Sequence, residues 1–171
     1  MGWGDSSSID FGNWSEPVIH KVGDVLEDGS TGKIYKQTGR ILNYADVPDE
    51  RGIYLFRDIR DRDNYYCGKT ENQTLRKRLT QHLTGASGKL RIGDEYKVRW
   101  ITSSNPGLSE AIAVIYLKPE RNDGNDWKYD IRQRKNNAKE VLREAERLGF
   151  YSKYNQEEFC LKLIECICNA I

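Results

Sequence analysis

Two β-prone runs, Gly52-Ile53-Tyr54-Leu55-Phe56-Arg57 and Tyr65-Tyr66-Cys67-Gly68-Lys69, flank a polar turn from Asp58 to Asn64. A parallel pairing needs a crossover of a dozen or more residues, so these runs must pair antiparallel. Everything downstream has to pack on that pair. Thr74 caps a helix in which Leu75, Leu79 and Leu83 recur every fourth residue and form one apolar seam, and Gly85 stops it. A further strand is expected at Tyr96-Lys97-Val98-Arg99-Trp100-Ile101. Asn105 then offers an N-cap and Pro106 a first helical residue, for a helix that runs to about Leu117 and ends before Pro119. The expected fold class is α+β, a small three-stranded antiparallel sheet with helices packed on it.

Elaborations flank this unit on both sides. Residues 1–50 read as a β-rich N-terminal part: a Gly-, Ser- and Asp-rich start that docks through Trp3, Phe11 and Trp14, then one or two hairpins between Val18 and Tyr44. The central unit is expected to span 51–122. Residues 123–171 read as a helical extension, with helices over about 138–148 and 156–170. At 171 residues and 37% hydrophobic content the chain can bury a core of its own as one domain without disulfides. Its longest apolar run, Ala111 to Leu117, is far short of the roughly 20 residues a membrane span requires. Met1-Gly2-Trp3-Gly4-Asp5-Ser6 lacks the basic and apolar regions of a secretory signal. It fits the short Gly2/Ser6 myristoylation pattern, but without a polybasic second signal. Cys67, Cys160, Cys166 and Cys168 have no zinc-knuckle spacing; the last three lie in an apolar stretch and are expected as small buried hydrophobes. Free thiols without a leader point to a cytoplasmic location. His20 is expected at the surface.

The net charge of +1 conceals an uneven distribution. Residues 1–51 carry nine acids against five bases, a net of −4, whereas residues 76–99 carry seven bases against two acids, a net of +5. A patch of that size can hold phosphates although the whole chain is near neutral. Arg76, Lys77, Lys89, Arg91, Lys97 and Arg99 are its candidate DNA contacts.

A fixed order of residues then narrows the chemistry. Gly52-Ile53-Tyr54 is followed after an eleven-residue gap by Tyr66-Cys67-Gly68, then Lys69, Arg78 and His82, then Glu110, Lys118-Pro119 and Asn122. This order resembles the GIY-YIG nuclease family, with Cys67 where the family usually has Ile. The stretch Gly68-Lys69-Thr70-Glu71-Asn72 and the later Leu75-Arg76-Lys77-Arg78-Leu79-Thr80-Gln81-His82 are similar to the family's second block. The resemblance covers about residues 51–122. Arg78 and His82 stand four apart and emerge on one helix face beside the leucine seam, where they could meet one phosphate. One carboxylate near a helix start, Glu110, suits Mg²⁺, which keeps several waters and takes one or two protein carboxylates.

The resemblance implies a divalent-metal-dependent DNA endonuclease, with Mg²⁺ as cofactor and Mn²⁺ as a substitute. It implies Tyr54 as general base or orienter of the attacking water, with Tyr66 beside it. Arg78 would stabilise the scissile phosphate, His82 would assist proton transfer or contact the phosphate, and Glu110 would bind the metal. Tyrosine is a poor base at its usual pKa of about 10, and Lys69 is the cation expected to stabilise its phenolate. Gly52, Gly68 and Asn122 are expected as structural support. The layout is similar to restriction-type members that cut both strands at a site, as a possible homodimer through the helix beginning near Phe159. The alternatives are a stand-alone structure-specific or repair nuclease and, less favoured, a non-catalytic DNA-binding protein retaining the fold.

Overall fold

The computed structural model describes residues 10–22, 47–61, 65–117, 138–151, 156–157 and 159–161. The strands are β1 (Val18–Lys21), β2 (Gly52–Asp58), β3 (Tyr65–Lys69) and β4 (Glu95–Thr102), and the helices are α1 (Leu75–Leu83), α2 (Pro106–Leu117) and α3 (Ala138–Arg147). They form one sheet of four strands in the order β1-β4-β2-β3, with every pairing antiparallel. The architecture is α+β, and the sheet has one strand more than the expected three. The addition is β1, whose Val18 pairs with Val98 across a long stretch of chain. The rest of the expected N-terminal hairpin region, Pro119, Asn122 and most of the final helix lie outside the described residues.

Alternation along the strands divides the side chains between two cores. Tyr54, Phe56, Tyr96, Val98 and Trp100 point to one face and pack with Leu75, Leu79 and Leu83, the seam of α1. Ile53, Leu55, Cys67 and Ile101 point to the other, against α2 and α3. β2 lies between β3 and β4 and is buried along both faces, which explains its continuous apolar run. α2 is buried at ten of its twelve positions, from Pro106 to Leu117, so it is a core helix between the sheet and α3. Each of its Ile, Leu and Val side chains contributes on the order of 1.5–3 kcal/mol by leaving water.

α1 starts where Thr74 Oγ1 accepts the Lys77 N–H at 3.4 Å, and the carbonyls of Glu50 and Pro48 accept the N–H groups of Leu75 and Arg76. The helix ends at Leu83, and Gly85 takes a left-handed φ of +83° just beyond it.

The N-terminal segment is fastened to the far end of the chain. Trp14 Nε1 donates to the Leu148 carbonyl at 2.9 Å, Asn13 Nδ2 to the Arg147 carbonyl at 2.9 Å, and the Asp10 N–H to the Gly149 carbonyl at 3.1 Å. Phe11, Trp14 and Phe150 pack edge to face within this clasp. Phe11 and Trp14 thus dock as expected; Trp3 lies outside the described residues.

Two expectations about single residues are corrected. His20 is fully buried, its Nε2–H donating to the Leu83 carbonyl at 3.2 Å, because β1 lays it on the α1 face of the sheet. Cys160 is exposed, on the outer side of a helical stretch whose Phe159 faces the core. Cys67 is buried, and Cys166 and Cys168 lie outside the described residues.

Candidate active site

Tyr54 lies at the centre of β2 on the α1 face, directly opposite Gly68 of β3. A Cβ on Gly68 would overlap the Cζ and Oη atoms of Tyr54, so the phenol can lie across β3 only because residue 68 has no side chain. Gly52 is constrained in the same way by the Ile101 carbonyl behind it. These two glycines shape the floor of the site. Thr70 closes the corner: its Oγ1 accepts the Gly52 N–H at 2.8 Å, while its own N–H donates to the Gly52 carbonyl at 2.9 Å.

Around the Tyr54 hydroxyl the structure gathers three of the expected residues. Arg78 Nε donates to it at 3.2 Å, and His82 Nε2 stands 2.7 Å away. Arg78 also interacts with Tyr66, whose hydroxyl interacts with Tyr54 in turn. A second guanidinium nitrogen, Nη1, donates to Gln81 Oε1 at 3.1 Å. The His82 ring sits within an aromatic box of Tyr54, Phe56 and Tyr66, at centroid distances of 5.1, 5.4 and 5.9 Å. Its other nitrogen, Nδ1, is 2.7 Å from Ser87 Oγ. Neither Ser87 nor Gln81 carries a sequence signal, since both reach the site by local contacts that no motif encodes.

Burial dominates the electrostatics. It pushes the Tyr54 phenol well above its ordinary 10, with the Tyr66 hydroxyl adding to the rise and Arg78 opposing it. Tyr66 is raised as well, first by burial and then by the Glu110 carboxylate. Burial also pushes His82 down to about 3, helped by the charges of Arg78 and Lys89, so this imidazole is neutral throughout the physiological range. The Arg78 guanidinium is raised because its bonds to Tyr54 outweigh its partial burial. Cys67 is held far above the thiol range by complete burial, with Glu110 second.

Glu110 projects from the second turn of α2. Its charge acts on both Tyr66 and Cys67, which point to opposite faces of β3, so it stands beside that edge strand. Lys69 Nζ lies 2.9 Å from Glu71 Oε1 and 3.9 Å from Glu110 Oε1. The expected pairing of Lys69 with the Tyr54 phenol is therefore corrected. Residues 67 and 69 point to the α2 face, away from Tyr54, and the cation at the phenol is Arg78. His82 likewise has no exposed surface with which to meet a phosphate directly; its contact is with Tyr54.

The basic patch expected from Arg76 to Arg99 is divided between two surfaces. Arg76 and Lys77 ride on α1, Arg76 Nε donating to the Val47 carbonyl at 3.0 Å, whereas Lys97 and Arg99 alternate with the buried Tyr96, Val98 and Trp100 and so emerge on the opposite face of the sheet. There Arg99 stacks over the Phe11 ring at 4.5 Å, and Arg57 stands opposite Lys97. Among the described residues no group of three or more His, Cys, Asp or Glu is placed to hold a metal ion, and no helix is long and apolar enough to cross a membrane. Glu110 offers one carboxylate, a number that a hydrated Mg²⁺ can take from a protein, and the Lys69 ammonium beside it is a cation and no ligand.

Residues 50–114 match the family model of the GIY-YIG catalytic domain. No curated protein and no solved structure matches the chain.

Proposed function

From the match of residues 50–114 to the GIY-YIG catalytic domain, the module of a family of endonucleases, we propose that this protein is a divalent-metal-dependent DNA endonuclease of restriction type. The observation that carries the reading is the convergence of Arg78 and His82 on the Tyr54 phenol oxygen, with Tyr66 beside them in the field of the Glu110 carboxylate. Chemically, the reaction breaks the bond between phosphorus and the 3′ oxygen while a water oxygen bonds to phosphorus. Tyr54 first gives its own proton to solvent by way of Tyr66, the phenolate then takes the water's proton, and the departing oxygen takes a proton from solvent. Arg78 and His82 are the groups that hold the negative charge on the Tyr54 oxygen before the proton arrives.

Tyr54 has no exposed surface, so access to its oxygen runs past Arg78 and the half-buried Tyr66. A scissile phosphate would draw Nη1 of Arg78 from Gln81 while Nε keeps its bond to the Tyr54 oxygen. Glu110 would hold Mg²⁺ or Mn²⁺, which when bound neutralises charge on the leaving oxygen. Lys69 keeps the Glu110 carboxylate in place. Exposed Lys77, Lys89 and Arg91, with Arg76, would contact the DNA backbone on the α1 side. A restriction-type enzyme cutting both strands acts as a homodimer.

Incubation with plasmid and genomic DNA, with and without Mg²⁺, followed by sequencing of the ends, tests this reading. Metal-dependent cutting at one recurring sequence is expected, and ends scattered at branches or flaps would indicate a structure-specific nuclease. Glu110→Ala should abolish cleavage while DNA affinity stays, because affinity rests on the basic side chains. An active Glu110→Ala protein with a slightly lower melting temperature would mean that the carboxylate only supports its helix.

A further inference from the structure

The orientation of His82 decides what Tyr54 can do, and the residue that controls it lies outside every motif. A neutral imidazole has one N–H and one bare nitrogen, and the partner of one nitrogen sets the role of the other. At Nδ1 that partner is Ser87 Oγ, 2.7 Å away. Ser87 Oγ also accepts the Lys89 backbone N–H at 3.3 Å. The oxygen keeps a second lone pair, but among the described residues the only acceptor within reach of the hydroxyl proton is Nδ1, so the bond between them is assigned as donation from Ser87.

We propose that Ser87 is a positioning residue that holds His82 in the tautomer protonated at Nε2, so that the imidazole donates to the Tyr54 oxygen rather than accepting from it. This rests on the nuclease reading above only for its consequence in catalysis. The hydrogen-bond direction then runs from the Lys89 N–H to Ser87, from the Ser87 hydroxyl to His82, and from His82 Nε2–H to Tyr54. Together with Arg78 Nε–H, two nitrogen donors converge on the Tyr54 oxygen. Its own proton is turned toward the remaining side, where Tyr66 stands. That is the arrangement an oxygen needs if it is to carry a negative charge.

In the opposite tautomer the bare Nε2 would accept the Tyr54 O–H, and taking that proton outright would leave a buried imidazolium beside Arg78 and Lys89. The depressed basicity of His82 argues against that state. The loop geometry is fitted to delivering Ser87. Gly85 and Gly88 take left-handed φ values of +83° and +67° on either side of Ala86-Ser87, and the Ser87 N–H donates back to the Gln81 carbonyl at 3.1 Å. A Cβ on Gly85 would crowd Ile92, so the turn is held by packing as well as by backbone conformation.

The chain has only two histidines, His20 and His82, so the ring nitrogens are assignable in a long-range ¹H–¹⁵N spectrum of the protein without DNA or metal. His82 should show a protonated Nε2 and a bare Nδ1. Ser87→Ala should shift it toward the other tautomer or a mixture, and Ser87→Thr, which keeps the hydroxyl, should restore the original pattern. In cleavage assays Ser87→Ala should lower kcat by about tenfold with KM unchanged, the low end of what an orienting partner of a functional histidine supplies. A wild-type His82 protonated at Nδ1, or a tautomer that Ser87→Ala leaves unaltered, overturns the proposal. Since the spectrum involves no DNA, a Ser87-dependent tautomer in a protein that cuts nothing supports this inference and refutes only the nuclease reading.

Discussion

Tyr54 and His82 are the two residues whose burial matters most for the chemistry. Tyr54→Phe deletes one oxygen from a fully buried ring, so the fold should persist while cleavage falls by about a hundredfold or more. Matched melting curves and initial cleavage rates check it. His82 binds its proton only near pH 3 in the folded chain, against an ordinary 6.5. Between those values the unfolded chain takes up a proton that the native state refuses. The stability this group contributes is therefore complete above about pH 6.5 and is lost as pH falls toward 3, by up to about 1.4 kcal/mol per pH unit. Thermal melts at pH 7.5 and pH 5 should show a large drop for wild type and a smaller one for His82→Gln. The activity profile between pH 5 and 8 should carry no limb from His82.

At the scale of elements, β3 is where the site is most sensitive to a small change. Gly68→Ala places a methyl group against the Tyr54 phenol, and a buried aromatic ring cannot yield without moving His82 and Arg78 with it. A destabilisation of about 1–3 kcal/mol is expected, with a larger loss in cleavage than the melt accounts for. Unchanged melting and activity would show that the two strands are not in the register described. The hairpin, the seam of α1 and the span of α2 were all legible in the chain because each follows from a local period or a cap. The place of β1 in this sheet was not: a strand from Val18 was expected within a local hairpin, and its actual partner, β4, begins far along the sequence, where no local pattern announces it. The same limit explains Lys69. Position along the strand suggested a neighbour of Tyr54, yet strand alternation sends residues 67 and 69 to the opposite face from Tyr66 and Gly68. Ser87 was invisible for another reason: a serine in a glycine-flanked turn has no periodic or motif signature.

For the whole molecule, the consequence of sheet alternation is that positive charge is presented on two sides. A duplex bound at the tyrosines faces α1, so Lys77→Gln and Lys89→Gln should each reduce the salt slope of DNA binding by about one, and Arg99→Gln should leave it unchanged. Titrations at several salt concentrations measure this. Equal slopes for the first two variants and wild type would place the duplex elsewhere.

The clasp of residues 10–14 on 147–150 gives the chain a chronology. Synthesis runs from the N-terminus, so Tyr54, Tyr66, Arg78, His82 and Glu110 are all joined to the chain before Leu148 and Phe150. During that interval Trp14 has no carbonyl to donate to, and α2 has a sheet in front of it and no α3 or Phe150 behind it. The chemistry of this protein is assembled first and its apolar back is sealed last. The nascent chain therefore passes through a stage at which an interrupted message would release a nearly complete catalytic centre on a body with an uncovered helix, the kind of species that chaperones retain and proteases remove.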